Sequence, residues 1–147
     1  MDYWIWESIN IISSRSVICE NNSVFGYKES VTIPYAEEFN RTRAHHSNLY
    51  FGVSLKALCI LAEKKGYVFV GSNKSGMNAF FVRKDISSGM IPITCEEGYV
   101  KSKVRESRDE SGHLTHISGD NRIKLIGDKV VVDGVTNKDK LIRELSF

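Results

Sequence analysis

The chain has 147 residues, of which 41% are hydrophobic and 26% are charged, so its size and composition are those of one soluble globular domain. Its formal net charge of +2 is too small to make nucleic acid an expected partner, because phosphate binding normally requires a clustered basic face. The three cysteines have no C-x-x-C spacing and the four histidines form no H-E-x-x-H motif. We therefore expect neither a disulfide framework nor a metal site.

Cysteine usage and segment hydrophobicity also bear on the compartment. Unpaired cysteines fit a reducing environment, and no signal peptide or long apolar run is visible. These features predict a cytoplasmic protein that does not enter a membrane.

The first predicted elements are a helix and a strand. Asp2–Ile12 has apolar residues on most sides and Asp2 as a candidate N-cap, which predicts a well-buried helix. The apolar run Val17–Cys19 ends abruptly in Glu20 and Asn21, a pattern typical of a buried parallel strand. Because ligands of open α/β sheets bind outside the carboxyl ends of strands, Glu20 and Asn21 are candidate site residues. The alternative is that both only cap a turn.

An extended, irregular segment comes next, in which Pro34 excludes a central strand. It carries Arg41, Arg43 and His45. Arginine can bind a carboxylate or phosphate through two parallel hydrogen bonds, and histidine can accept a proton from a hydroxyl or an amine near neutral pH. The alternatives are ion pairs with neighbouring glutamates for the arginines and a hydrogen bond at the entry of the next helix for His45.

The clearest helical pattern covers residues 48–66. Ser47 is its candidate N-cap, an apolar stripe runs along one side, and Gly66 is a natural C-terminal stop.

Two strand-like runs follow that helix and flank a link rich in glycine, asparagine and serine. Gly71 and Gly76 have the spacing of a phosphate-binding loop, but no Lys-Ser or Lys-Thr pair follows the second glycine. The runs Tyr67–Val70 and Ala79–Val82 therefore predict a β-hairpin. Two further candidate ligand-binding residues lie in this link, although asparagine more often stabilises a turn: Asn73 and Asn78.

The chain after Asp85 is polar and rich in loops. Lys101–Gly112 mixes basic and acidic residues, which predicts a solvated and mobile surface segment. A short helix is expected within Gly119–Asp128, capped by Ser118. The last expected element is a terminal hairpin with strands at Val130–Val135 and Leu141–Leu145.

This order of elements resembles the second half of a class I methyltransferase domain, the Rossmann-like fold that binds S-adenosylmethionine. The stretch "EKKGYVFVGSNKSGMNAFFVRKD" is similar to the end of FkbM-like methyltransferases, where a Gly-Tyr pair opens one closing strand and an Asn-aromatic-aromatic-Val run forms the other. A group of methyltransferase-like proteins of largely uncharacterised function resembles the chain more closely, from Asp2 to about Gly119. The stretches that carry this likeness are "DYWIWESI", "VICENNSVFG", "VTIPY", "RTRAHHSNLYFGVSL" and "VRESRDESGHLTHISG".

The resemblance implies a fold and a division of the chain. The expected class is α/β, with a partial Rossmann-like sheet of the methyltransferase type, a closing antiparallel hairpin and an extra C-terminal β-hairpin. Residues 1–85 would form the second half of the methyltransferase-like domain. Residues 86–147 would form a loop-rich extension packed on it.

The resemblance also implies roles for the candidate residues. Glu20 and Asn21 would end the fifth strand of the complete fold and face the crevice of the methyl acceptor. The implied catalytic residues are His45 and Glu20. The implied substrate-binding residues are Asn21, Arg41, Arg43, Asn73 and Asn78.

The chain departs from that family where the cofactor would bind. It shows neither the glycine-rich first loop nor the acidic residue that would hold the ribose hydroxyls, so S-adenosylmethionine is implied by resemblance only and no cofactor is expected in this chain. We expect a protein that is inactive alone, with a small-molecule acceptor as its ligand. The alternative is a non-catalytic binding or assembly module. Because the strand Val17–Cys19 would have an unpaired edge, a homo-oligomer or a separate N-terminal half is the expected partner.

Overall fold

Short helices and antiparallel sheets make up the part of the chain that the computed structural model describes, residues 1–103 and 106–146. The helices are α1 (Asp2–Ser8), α2 (Arg41–Ala44), α3 (Leu55–Lys64), α4 (Cys95–Gly98) and α5 (Asn121–Leu125). The strands are β1 (Ser16–Glu20), β2 (Val31–Thr32), β3 (Tyr67–Ser72), β4 (Asn78–Arg83), β5 (Ser107–Arg108), β6 (Leu114–Thr115), β7 (Val130–Asp133) and β8 (Asp139–Leu141). Single turns of 3₁₀-helix lie at Ser23–Phe25, Lys84–Ile86 and Ile142–Glu144. None of the described helices is long and apolar enough to cross a bilayer.

The first sheet has the strand order β1-β4-β3, and both neighbouring pairs are antiparallel. β1 and β3 therefore run in the same direction, with α3 in the connection between them and β4 inserted between them. The predicted hairpin is confirmed as β3 and β4. Gly71 lies at a register shift of β3 and Gly76 lies in the hairpin turn, so this pair of glycines does not open a helix.

The first core lies between this sheet and the helices α1 and α3. Trp6 packs against Tyr67 and Phe81 with ring centroids 5.6 and 5.1 Å apart. Phe81 also contacts Phe69 at 5.5 Å. Because side chains alternate across a strand, the aromatic rings share one face of the sheet, and half-buried Phe80 lies on the other face.

β1 is an edge strand, and the prediction of a buried parallel strand at Val17–Cys19 is wrong. Its partner β4 is antiparallel to it, and Ile18 is 62% exposed. The Asn21 N–H donates to the Met77 carbonyl at 2.7 Å, so odd-numbered residues of β1 direct their backbone groups toward β4. The backbone of Ile18 faces the other edge, where no described strand lies. A run of three apolar residues is too short to distinguish a strand buried on both faces from one with alternate residues exposed.

The second core lies between a sheet of order β2-β7-β8 and the surrounding loops. Its buried side chains come from distant parts of the chain: Val24, Phe25, Val31, Ile33, Leu49, Ile126, Val131 and Ile142. β7 and β8 confirm the predicted terminal hairpin. Its second strand ends earlier than predicted, because Ile142–Glu144 form a helical turn that buries Ile142 completely.

The helix predicted at residues 48–66 is shorter in the structure. α3 begins after Ser54, whose side chain accepts a hydrogen bond from the Ala57 N–H, so the prediction of Ser47 as N-cap is wrong. The preceding residues form a buried loop, with Gly52 at a φ of +72° and Val53 bridged to Thr32. The residues of this loop are apolar because they pack into the core. Their spacing in the sequence therefore resembles the apolar pattern of a helix.

The first helix also differs from its prediction. α1 ends at Ser8, and Ile11 and Ile12 are 99% and 75% exposed. Asp2 lies in the first turn and does not cap the helix. Its carboxylate instead accepts a hydrogen bond from the Glu20 N–H at 2.8 Å, which ties the helix start to the end of β1.

The C-terminal part is more ordered than its polar sequence predicts. Within Lys101–Gly112, residues 104 and 105 lie outside the described residues, but Ser102 and Ser107 are 3% and 0% exposed. β5 lies in this segment and pairs with β6 just after it, so the prediction of a solvated segment is wrong for Ser102 and Ser107. The expected short helix is confirmed as α5, although Asp120 rather than Ser118 precedes it.

Candidate functional site

Three of the candidate residues meet at the carboxyl end of β1. Glu20 lies opposite Asn78 in the pairing of β1 with β4. Asn21 is 1% exposed, and its side-chain amide donates to the Gly76 carbonyl at 3.4 Å. The strand pairing therefore brings together residues that are about sixty positions apart in the sequence.

A cavity of about 200 Å³ opens beside this strand end, and we call it the β1-end cavity. Glu20 and Arg41 both line it, so two of the candidate residues share one concave site. The complete lining is Met1, Asp2, Glu20, Phe39, Arg41, Phe51 and Gly52. Two carboxylates, one guanidinium and two aromatic rings thus surround a space of about the size of a small metabolite.

Arg41 is held in place by its neighbours. Its Nε donates to the Asn48 carbonyl and its Nη2 donates to the Glu106 carbonyl at 3.3 Å, while the guanidinium carbon lies 4.3 Å from the centroid of the Phe51 ring. Burial lowers the pKa of Arg41, and the carboxylates of Glu106 and Glu20 oppose this shift. Arginine remains charged at neutral pH, and these bonds use two of its five N–H donors.

His45 lies apart from the β1-end cavity and does not line it. Its Nδ1 lies 2.7 Å from Ser47 Oγ and accepts a hydrogen bond from the Ser47 N–H. Burial lowers the pKa of His45, the nearby His46 and Lys129 lower it further, and Asp128 raises it. The ring therefore makes the local hydrogen bond that was the alternative to its catalytic role, and it lies near the start of β7.

Arg43 and Asn73 have no place in the β1-end cavity either. Arg43 is on the exposed side of α2. The Asn73 side-chain oxygen accepts hydrogen bonds from the Ser75 hydroxyl and from the N–H groups of Met77 and Asn78. Asn73 therefore stabilises the hairpin turn, as asparagine commonly does.

Sequence reasoning missed Asp2, Phe39 and Phe51 as cavity residues. The hydrogen bond from Glu20 to Asp2 joins elements that no local pattern relates. Phe51 was assigned to a helix, but it lies in a loop beside Arg41, next to Gly52 with its positive φ. Within residues 1–103 and 106–146, no group of three or more His, Cys, Asp or Glu side chains is placed to hold a metal ion.

Comparison of the chain with family models, with curated proteins and with solved structures found no match in any of the three. The described residues also do not fit S-adenosylmethionine, because no described glycine pair lies at a strand-to-helix turn where backbone could approach a cofactor. The geometry of the β1-end cavity is thus the basis for inferring a function.

Proposed function

We propose that this chain is the acceptor-side half of a methyltransferase-like α/β domain, and that it acts by binding a small organic molecule in the β1-end cavity. The order β1-β4-β3 supports this proposal. It has the features that the resemblance implies for the end of such a domain: a strand ending in Glu-Asn, a helix, and two closing strands of which one is antiparallel to the rest.

The chemistry of the cavity favours a small zwitterion. The Arg41 guanidinium can bind a carboxylate, and the carboxylate of Glu20 can bind an ammonium group. The rings of Phe39 and Phe51 offer an apolar surface to the rest of the ligand. An α-amino acid with a short apolar side chain combines these features. No step of methyl transfer is assigned to the chain alone, because the residues do not fit the methyl donor.

Calorimetric titration tests this proposal with three related probes: valine, isobutylamine and isovalerate. Valine carries both charges, whereas each of the other probes carries one. We expect valine to bind at least tenfold more tightly than either, and S-adenosylmethionine to give no binding at micromolar concentrations.

Two arginines of α2 supply a matched pair of variants. Arg41→Met should abolish the preference for valine over isobutylamine, since the carboxylate loses its partner. Arg43→Met should leave it unchanged, because Arg43 is exposed and outside the cavity. Equal binding of the three probes, or equal effects of the two variants, would reject the cavity as a zwitterion site.

A second candidate function is assembly, and the open edge of β1 favours it. The backbone of Ile18 faces this edge, and apolar side chains beside it are exposed: Ile5 at 56%, Ile9 at 42%, Ile12 at 75% and Ile18 at 62%. A cavity of about 320 Å³ lies between α1 and β1 on the same side. Two copies could pair antiparallel through this edge around a two-fold axis.

Light scattering at micromolar concentration measures the assembly state. We expect twice the 16.6 kDa mass of the chain, with an interface on the order of a thousand Å² or more. Ile18→Lys places a charge on the edge strand and should give the monomer mass. A wild-type monomer at all concentrations would exclude this second function.

A further inference from the structure

A second concave site shares no lining residue with the β1-end cavity. Its volume is about 340 Å³, and it lies between the 3₁₀ turn at Ser23–Phe25, the segment around Tyr99 and the start of α5. The side chains that matter here are Tyr27, Lys28, Tyr99, Lys101, Asp120 and Arg122. We call it the tyrosine–arginine pocket.

Arg122 is the most informative residue of this pocket, because it is only 2% exposed. Its Nη1 donates to Ser102 Oγ at 2.9 Å and its Nε donates to the Gly119 carbonyl at 3.4 Å. Among the described residues, no carboxylate lies within ion-pair distance of it. Burial of a charge is unfavourable unless it is paired, so an uncompensated guanidinium that lines a cavity indicates an anionic ligand.

A hydrogen-bond network fixes the position of this guanidinium. The Ser23 hydroxyl donates to Ser102 Oγ at 2.6 Å, and the Ser102 N–H donates back to Ser23 Oγ at 3.3 Å. The Tyr99 hydroxyl donates to the Ser23 carbonyl at 2.7 Å. Arg122 thus rests on a support that is ordered before any ligand arrives, which lowers the entropic cost of binding.

The other charged residues of the pocket also favour an anionic ligand. Lys28 and Lys101 line the pocket together with Arg122, and Asp120 is the acidic residue of the lining. Lys101 pairs with Asp120 at 3.4 Å, but both side chains are largely exposed, so this pair is weak and can open. Burial raises the pKa of Tyr99 and the nearby charge of Arg122 opposes the shift, which places this positive charge beside the tyrosine ring.

Two tyrosine rings form one wall of the pocket. The centroids of Tyr27 and Tyr99 lie 5.2 Å apart with an angle of 46° between the ring planes. The Tyr27 hydroxyl donates to the Glu96 carboxylate at 3.2 Å, which holds the first ring in place. A flat organic group can pack on such a wall while an attached anion reaches Arg122.

We propose that the tyrosine–arginine pocket binds a small phosphate monoester with a flat organic group. Phosphate matches the planar fork of a guanidinium and gains from the two lysines at the rim, while the tyrosines receive the organic part. This site is independent of the function proposed for the β1-end cavity.

Calorimetric titration with phenyl phosphate, inorganic phosphate and phenol tests this assignment. We expect phenyl phosphate to bind at least tenfold more tightly than inorganic phosphate, and phenol to show no binding at millimolar concentrations. Affinity for phenyl phosphate should also fall as salt concentration rises. Absence of phenyl phosphate binding at millimolar concentration would overturn the proposal.

Variants of the pocket distinguish a role of Arg122 in ligand binding from a purely structural role. Arg122→Lys keeps the charge but loses the planar fork. Lys28→Gln removes a positive charge from a lining residue that takes no part in the hydrogen bonds of Ser23, Ser102 and Tyr99. Each variant should weaken the binding of phenyl phosphate at least fivefold. Lys124→Gln, on the exposed side of α5 and outside the pocket, should leave affinity unchanged. Melting temperatures confirm that each variant is folded. Binding that is equally strong in Lys28→Gln and in folded Arg122→Lys would show that Arg122 has a structural role only.

Discussion

The two hydrophobic cores of this chain are built from segments with very different spacing along the sequence. The first core joins α1, β1, α3, β3 and β4, which all lie within residues 2–83, and its centre is a group of aromatic rings. The second core brings β2 and the loop around Leu49 against β7 and Ile142, so its contacts span about a hundred residues. Both cores depend on contacts between residues that are distant in the sequence, and the second core closes over the longer span.

The cores also differ in how their boundaries are completed. The first has an open edge at β1, where Ile18 is 62% exposed. The loops of the second core are held by buried hydrogen bonds. Asn22 is 0% exposed, and its side chain donates to the carbonyls of Leu49 and Phe51 at 2.9 Å each. An open strand edge can pair with a partner, whereas buried hydrogen bonds hold a loop in one rigid conformation.

The largest expected effect is in the first core, at two adjacent phenylalanines of β4. Phe81→Ala removes a fully buried ring that contacts Trp6 and Phe69 and should lower the free energy of unfolding by about 3–5 kcal/mol. Phe80→Ala, on the other face, should lower it by about 1–2 kcal/mol, because that ring is only half buried. Urea denaturation gives both values. Equal losses would mean that both faces of the sheet are equally covered.

The next effect concerns the buried hydrogen bonds of Asn22 in the second core. Asn22→Ala leaves two buried carbonyls and the Val24 N–H without their partner, so it should lower the free energy of unfolding by about 2–4 kcal/mol. Asn10→Ala removes an exposed amide and should change it by less than about 0.5 kcal/mol. If Asn22→Ala were as mild as Asn10→Ala, apolar contacts alone would hold the loops of the second core.

A smaller, pH-dependent effect is expected at the terminal hairpin. Lys140 and the N–H groups of Thr136 and Val135 hold the pKa of Asp133 well below its usual range, although its own burial opposes this. A depressed pKa in the folded state stabilises the protein above the unfolded pKa of about 3.9, and this stabilisation is lost as pH falls below that value.

Asp133→Asn therefore should lower the free energy of unfolding by about 1–2 kcal/mol at pH 7 and have less effect near pH 2. Thermal denaturation from pH 7 to pH 2 measures the difference. Asp139→Asn, at an exposed position of β8, provides the control. A constant difference between wild type and Asp133→Asn across this range would show that the charge of Asp133 does not stabilise the hairpin.

The difference between local and long-range contacts explains which parts could be predicted from the sequence. The hairpins β3–β4 and β7–β8 follow from alternating apolar residues around turn-forming links, and both are confirmed. The helix predicted at residues 48–66 is too long. Leu49 and Phe51 are buried because a loop packs them into the core, although they are not part of a helix. Period alone does not separate a buried loop from a helix.

The candidate sites show the same limit. Glu20 and Asn78 were found separately, and only the register of β1 with β4 places them opposite each other. The tyrosine–arginine pocket was not predicted, because nothing in the sequence distinguishes buried Arg122 from exposed Lys124 two positions later. Arg122 is significant because it is only 2% exposed, which no sequence pattern predicts.

Amide hydrogen exchange along β1, measured by NMR at two protein concentrations, tests the open edge most directly. At low concentration we predict that the Ile18 N–H exchanges much faster than the Cys19 N–H, because the backbone of Cys19 faces β4 and that of Ile18 faces the edge. At high concentration the Ile18 N–H should slow toward the rate of Cys19 as two copies pair. An Ile18 N–H as slow as that of Cys19 at every concentration would show that the chain covers its own edge, and the open-edge interpretation of β1 would be wrong.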